Sequence, residues 1–202
     1  MTWTLYASPR SPFVRKVMIA AHETGLAGRL TRIEVVTTPM TPAPELAAVN
    51  PLGMIPVLLT EEGPVFDSLV ILDLFDEIAG GLFPKGAARR DTLTRHALAN
   101  GMMDKAVRIL DEQFRLQNDD TAQHVAGYVR AIRSGIRWLE PMLDEARFDA
   151  GDIALAALMA YLDMRFPQIL WREGAERAAA WYAAVEKRPS MQATAFAEPP
   201  FV

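Results

Sequence analysis

An α/β domain of order β-α-β-β-β-α followed by an all-α helical bundle is the fold class that this sequence predicts. Three observations carry the reading. Over the first ~80 residues apolar positions recur alternately every second residue and every three to four, the periods of strand and helix. A proline-rich span, "VVTTPMTPAPELAAVNPLG", interrupts that alternation. After "GGLFPKGAARR" no strand-like alternation of useful length returns and helical patterns take over. The predicted division is residues 1–80 as the first domain, 81–89 as linker and 90–202 as the helical domain.

The elements follow in order. "TWTLY" places Trp3 and Leu5 on one face, as a half-buried strand does. From Pro12 to about Thr24, the residues Phe13, Val14, Val17, Met18 and Ala21 recur at helical spacing, and Gly25 suits a left-handed stop. "TRIEVV", with Ile33 and Val35 on one face, makes a second strand and a crossover that should be right-handed. The proline-rich span denies backbone donors and reads as an irregular connection. "IPVLLT" and "GPVF", joined by "EEG", read as an antiparallel hairpin. In "DSLVILDLFDEIAGG" the helical face is Leu72, Phe75, Ile78 and Ala79, with Asp67 or Ser68 as N-cap and Gly80 or Gly81 as the stop.

In the helical part, Val125, Val129, Ile132, Ile136, Leu139 and Leu143 form the stripe of a bundle helix that Pro141 should end or kink. "FDAGDI" is a helix start in which Asp149 caps, Asp152 reaches back and Phe148 staples onto Ile153. The positive helix end should ease the repulsion between the two aspartates. The helix they open, "IALAALMAYLDM", is apolar nearly all round and should be the buried core. Tyr161, Trp181 and Arg188 read as packing and capping residues.

Composition narrows the chemistry. Half of the 202 residues are apolar, enough for a substantial core. The net charge of −4, with both signs interspersed, argues against nucleic acid as a partner. No window approaches the roughly 18 uninterrupted apolar residues of a membrane helix, and no signal-peptide order opens the chain, so a cytoplasmic location is expected. The sequence has no cysteine, which removes disulfides and any protein-borne sulfur nucleophile, so thiol chemistry must use a substrate's thiol. His22, His96 and His124 stand in no metal-ligand spacing, and no metal is expected.

The stretches "SPFVRKV", "NPLGMIPVL", "FDSLVILDLF", "FDAGDIALAALMAYLD" and "WYAAVEKRPSMQAT", taken in this order, resemble the cytosolic glutathione transferases over essentially the whole chain. The bacterial serine-type branch is the most similar, and "LYASPRSPFVRKV" also resembles the corresponding run of the zeta class. The resemblance implies a thioredoxin-like first domain, a homodimer, glutathione as co-substrate and conjugation of its thiolate to a small apolar electrophile. It implies a cis Ile55–Pro56 bond, with the Ile55 backbone paired to the cysteinyl part of glutathione. Asp67 would take the ligand's amine and Ser68 its γ-glutamyl carboxylate, and Phe13, Met54 and Pro56 would complete the glutathione contacts.

Ser11 stands where a thiol-redox relative keeps its first cysteine and is the candidate catalytic residue, with Tyr6 and Ser8 as rivals for the activating hydroxyl. Each of these residues has a structural reading beside the functional one. Ser11 is a natural N-cap before a first-turn proline, Asp67 and Ser68 cap their helix, and Pro56 can simply break a loop. Met103 and Asp104, in "NGMMDKAVRILDEQF", are candidates for the wall of the electrophile's site, against a plain core and a solvated face.

Two departures from the family pattern stand out. Many relatives bring a Lys, Arg, His or Gln to the glycine carboxylate, yet Val35 to Met54 contains none, and Met54 stands where Lys is common. Arg10 or Arg15 could substitute, although Arg15 and Lys16 read more simply as solvent-facing. Zeta enzymes carry serine-serine-cysteine where this chain has Ser11-Pro12-Phe13, which counts against a zeta-like isomerase or dehalogenase. The missing cation favours the remaining alternative, a non-catalytic ligand-holding or protein-interaction module on the same fold.

Overall fold

A computed structural model describes residues 2–38 and 40–196. The chain forms two compact units, Met1–Pro84 together with Pro189–Val202, and Lys85–Arg188.

The first unit is built on a four-stranded mixed sheet. Strand β1 (Trp3–Ala7) leads through helix α1 (Pro12–Glu23) to β2 (Leu30–Glu34), which pairs parallel with it from Trp3↔Leu30 to Ala7↔Glu34. A one-turn helix α2 (Pro44–Ala47) precedes the hairpin β3 (Val57–Thr60) and β4 (Gly63–Val65), and α3 (Ser68–Ala79) closes the unit. The strand order is β2-β1-β3-β4, with β3 antiparallel to both neighbours. This is the thioredoxin-like arrangement, reached because alternating Trp3, Leu5 and Ala7 bury one face of β1. Trp3 stacks on Phe75 of α3, with ring centres 6.1 Å apart.

Several details differ from the sequence expectation. The span after β2 is not wholly irregular: Pro44 sits in the first turn of α2, where its missing donor costs nothing, and Leu46 anchors the turn in the core. Within "TRIEVV" Val35 is buried but Ile33 is exposed, because β2 is an edge strand with partners on one side only. In α3 the buried stripe is Ser68, Ile71, Leu72 and Phe75. Ile78 and Ala79 lie outside it, since the helix ends into Gly80 (φ 72°) before the stripe repeats.

Arg15 and Lys16 are buried, not solvent-facing. The C-terminal segment is the physical reason for Arg15. Helix α8 (Pro189–Ala193) packs on α1, the Arg15 guanidinium donates to the Met191 carbonyl at 3.2 Å, and it lies 4.6 Å from the centre of the Phe196 ring. At the other end of α1 the Ser190 hydroxyl donates to Glu23. The Lys16 ammonium lies 5.8 Å from the Phe13 ring centre. Arg15→Met should therefore cost about 1–2 kcal/mol in urea denaturation, because it leaves the Met191 carbonyl with only the longer 3.5 Å bond from the Thr194 hydroxyl. Arg15→Lys should recover part of the loss.

The second unit is helical: α4 (Ala87–Gln113), α5 (Asp119–Leu139), α6 (Ala150–Arg165) and α7 (Glu176–Val185). Ile132, Ile136, Leu139 and Leu143 are buried as their spacing requires, Val125 and Val129 are half-buried, and α5 gives way at Pro141 to a short 3₁₀ turn. Gly135 lets α4 approach closely, since a β-carbon there would stand 2.4 Å from the Met102 sulfur. Helix α6 is buried from Ala150 through Leu162, all round, as its apolar sequence demands. Tyr161 and Trp181 are buried in this unit, and the Arg188 guanidinium lies 4.3 Å from the Phe148 ring centre.

The start of α6 is a reciprocal cap. Asp149 accepts from the Gly151 and Asp152 amides, and Asp152 accepts from the Asp149 amide at 3.2 Å. The two carboxylates do not rely on the helix end alone. Arg95 of α4 reaches both, at 2.5 Å from Asp149 and 2.6 Å from Asp152. The Thr92 hydroxyl donates to Asp149 at 2.7 Å, and the Arg147 Nε donates to Asp152 at 2.8 Å. Gly151 is required by this packing: a β-carbon there would meet the Arg95 guanidinium at 2.8 Å and the Thr92 carbonyl at 2.9 Å.

Candidate active site

The sheet's register brings three backbone features to one end of the first unit. Tyr6 of β1 faces Val57 of β3, so one further step aligns Ala7 with Pro56. Leu58 faces Val65 of β4 in the last pair of that ladder, so the chain leaves β4 toward Asp67 at the end where Pro56 enters β3. The end of β1, the entry to β3 and the N-terminus of α3 therefore lie side by side. The N-terminus of α1 starts from the same end, four residues beyond β1.

Each feature has its own local cause. Ser11 is the N-cap of α1: its backbone is extended (φ −84°, ψ 124°), its Oγ accepts from the Val14 amide at 3.3 Å, and Pro12 follows in the first turn. The cap uses a lone pair and leaves the hydroxyl proton to be donated elsewhere. Ser8 folds onto its own loop, its Oγ accepting from the Arg10 amide at 3.4 Å. Tyr6 lies on the other face of β1 from Leu5 and packs partly buried against the cluster of Val35, Ala43, Leu46 and Val57.

Ile55 and Pro56 are joined by a cis peptide bond, as are Phe66 and Asp67. The Ile55 side chain packs on the same cluster as Tyr6. Its backbone is different in kind: β3 begins only at Val57, and among the described residues Ile55 makes no backbone hydrogen bond in a turn, loop or cap. A donor and an acceptor are thus presented at a strand's extension, the geometry that pairs with an extended peptide.

The preceding carbonyls are held by side chains that the sequence reading did not single out. Asn50 donates to the Met54 carbonyl at 2.9 Å and Thr37 to the Gly53 carbonyl at 3.0 Å. An Asn immediately before Pro51, where turns often use Asx side chains, is the signal that marked it. Met54 itself is exposed, and Pro56 is buried.

At α3, Asp67 is the N-cap, its Oδ1 accepting from the Leu69 amide at 2.9 Å. Asp67 is exposed and Ser68, the first helical residue, is buried. A helix N-terminus with no acidic residue in its first turn suits a carboxylate, and the exposed Asp67 offers a counter-charge to an ammonium close by. Phe13 is half-buried in the first turn of α1, and Arg10 is exposed. In the second unit Met103 is fully buried and Asp104 is exposed. Among the described residues there is no group of three or more His, Cys, Asp or Glu side chains that could hold a metal ion. No helix among them is long and apolar enough to cross a membrane.

The whole arrangement has counterparts among known proteins. Residues 10–78 match the N-terminal domain, and residues 122–184 the C-terminal domain, of the glutathione S-transferases. A glutathione transferase family member from Pseudomonas fluorescens Pf-5, solved with bound glutathione, is 38% identical and superposes with a TM-score of 0.91 over 99% of this chain and 100% of its own. A glutathione S-transferase from Methylobacterium radiotolerans, in complex with glutathione sulfonate, is 27% identical, with a TM-score of 0.86 over 100% of this chain and 98% of its own. The Escherichia coli protein YibF, described as an uncharacterized GST-like protein, is 29% identical over 80% of this chain and 82% of its own length. With both halves matched and the fold shared from end to end, this chain belongs to the glutathione S-transferase family.

Proposed function

We propose that the protein binds glutathione at the sheet end described above and adds its thiolate to a small apolar electrophile. The observation that carries this reading is the alignment of an Ile55 backbone that has no hydrogen bond among the described residues with two helix N-termini, one bearing Ser11 and the other Asp67 and Ser68. The cysteinyl backbone pairs with Ile55, and the γ-glutamyl carboxylate meets the amides of α3, with its ammonium toward Asp67. Phe13, Met54 and Pro56 flank the tripeptide. Ser11 then donates its hydroxyl proton to the sulfur, and the Val14 amide, already bonded to Oγ, polarises that hydroxyl further.

Bringing a thiol pKa of about 8.5 down by about two units requires roughly 2.7 kcal/mol of preference for the thiolate, within reach of one charge-assisted hydrogen bond plus a helix end. The thiol proton leaves to solvent. With an aryl halide the sulfur forms the new S–C bond and halide departs with the electron pair. Retention on immobilised glutathione together with turnover of an aryl halide tests the reading. The chain is proposed to act as a homodimer, which sedimentation at micromolar concentration checks.

A second reading is a non-catalytic ligand-holding module. It is favoured by one feature, the lack of any Lys, Arg, His or Gln from Val35 to Met54. Retention on glutathione without turnover of any electrophile would select it.

A further inference from the structure

We infer that Asn50 and Thr37 are positioning residues for the Ile55 backbone, a role that rests on the glutathione reading and sharpens it. The chain enters β3 through Gly53, Met54 and Ile55, a stretch that belongs to no strand and has no ladder to hold it. Two side chains replace the ladder. Buried Asn50 donates Nδ2 to the Met54 carbonyl at 2.9 Å while its Oδ1 accepts from the Leu52 amide at 3.1 Å. Its own carbonyl accepts from the Gly53 amide at 2.8 Å, so Asn50 closes the turn from three sides. Thr37, arriving from the end of β2, donates to the Gly53 carbonyl at 3.0 Å and accepts from the Ala43 amide at 3.4 Å.

The consequence is a division of labour along three residues. The carbonyls of Gly53 and Met54 are consumed inside the protein, and Ile55 is the first residue of the entry whose carbonyl and amide both lack a hydrogen bond among the described residues. A peptide that pairs with Ile55 gains affinity only if that residue is already ordered, because ordering it on binding would subtract from the gain. Gly53, at φ 60°, lets the chain turn so that both carbonyls face the brace.

The test uses the full chain with Asn50→Ala, Thr37→Val and the rescue variant Thr37→Ser. In ligand-free wild type, amide order parameters at Met54 and Ile55 should match a rigid backbone at about 0.85, and in Asn50→Ala they should fall toward about 0.6. Glutathione dissociation constants from calorimetry should rise about tenfold in Asn50→Ala and severalfold in Thr37→Val, with Thr37→Ser near wild type. Rigid Met54 and Ile55 amides and a dissociation constant within twofold of wild type in both variants would overturn the positioning role, whatever the change in melting temperature. If Asn50→Ala does not fold, Thr37→Val carries the same test. Loss of order at Ile55 in a protein whose wild type does not bind glutathione would overturn the reading of the site and leave the brace standing as a structural device.

Discussion

Turnover of an aryl halide at pH 6.5 should fall about fifty-fold when Ser11 is replaced by alanine. The figure follows from titration: a bound thiol of pKa about 6.5 is half ionised at that pH, and one returned to about 8.5 is about 1% ionised. The same arithmetic makes the deficit shrink to less than twofold near pH 9, where both are mostly thiolate. This pH dependence separates the catalytic role from the structural one. Losing the N-cap bond to the Val14 amide should cost about 1 kcal/mol of stability whatever the state of the thiol. Ser11→Asp isolates the two roles, since a carboxylate caps a helix as well as serine does but has no proton to donate and repels a thiolate. It should fold and remain slow. Ser8→Ala and Tyr6→Phe should leave the pH profile unchanged, because Ser8 is turned onto its own loop and Tyr6 packs on the Val57 cluster. An unaltered thiol titration in Ser11→Ala would remove Ser11 from the mechanism.

What could be read from the residues, and what could not, divides along sequence distance. Ser11-Pro12, Asp67-Ser68, Gly25 and the Asp149/Asp152 cap announced themselves because capping chemistry is decided within four residues. The all-round apolar run of α6 announced its own burial in the same way. Arg15 and Lys16 did not, because nothing near them in sequence says that Met191 and Phe196 return to cover Arg15. Ile33 failed for a related reason: strand alternation tells which residues share a face, but edge position is a property of the sheet. The brace around Ile55 was hidden in part. Asn50 lies beside the carbonyl it holds, whereas Thr37 joins it across sixteen residues of chain that read as irregular.

The largest stability effect is expected from Arg95→Met, which should cost about 3–5 kcal/mol at pH 7 by leaving two buried carboxylates short of a partner. For a chain of this size that is a fall of roughly 10 °C in melting temperature. Thr92 and Arg147 remain, but Thr92 meets only Asp149, and Arg147, hydrogen-bonded to Asp152 at 2.8 Å, stands 3.6 Å from Asp149, so neither hydrogen-bonds both aspartates as the Arg95 fork does. The pH dependence of the Asp149 contribution should change sign with the substitution. In the native cluster, burial pushes the Asp149 carboxyl up, and hydrogen bonds from Arg95 and Thr92 with the Arg95 charge outweigh it, so its pKa stands below the ordinary carboxylate value. Asp149 therefore contributes stability above the unfolded carboxyl value of about 3.9 and loses it as pH falls through its lower folded value. Asp152 lies on the other side: burial and the neighbouring Asp149 charge hold its pKa up against the Arg147 hydrogen bond, so acid favours its folded form. Without Arg95 the lowering influences on Asp149 are mostly gone and its shift also turns upward. Both carboxyls then take up protons more readily folded than unfolded, and the variant's deficit should be largest at neutral pH and narrow as pH approaches about 4. Guanidinium denaturation of both proteins at pH 7, 5.5 and 4.5 measures this directly. A deficit under 1 kcal/mol, or one that does not narrow with acid, would show that Arg147 and the helix end suffice for the pair. Adding Asp152→Asn to Arg95→Met should recover part of the loss at pH 7, because it removes the buried charge that Arg95 no longer meets.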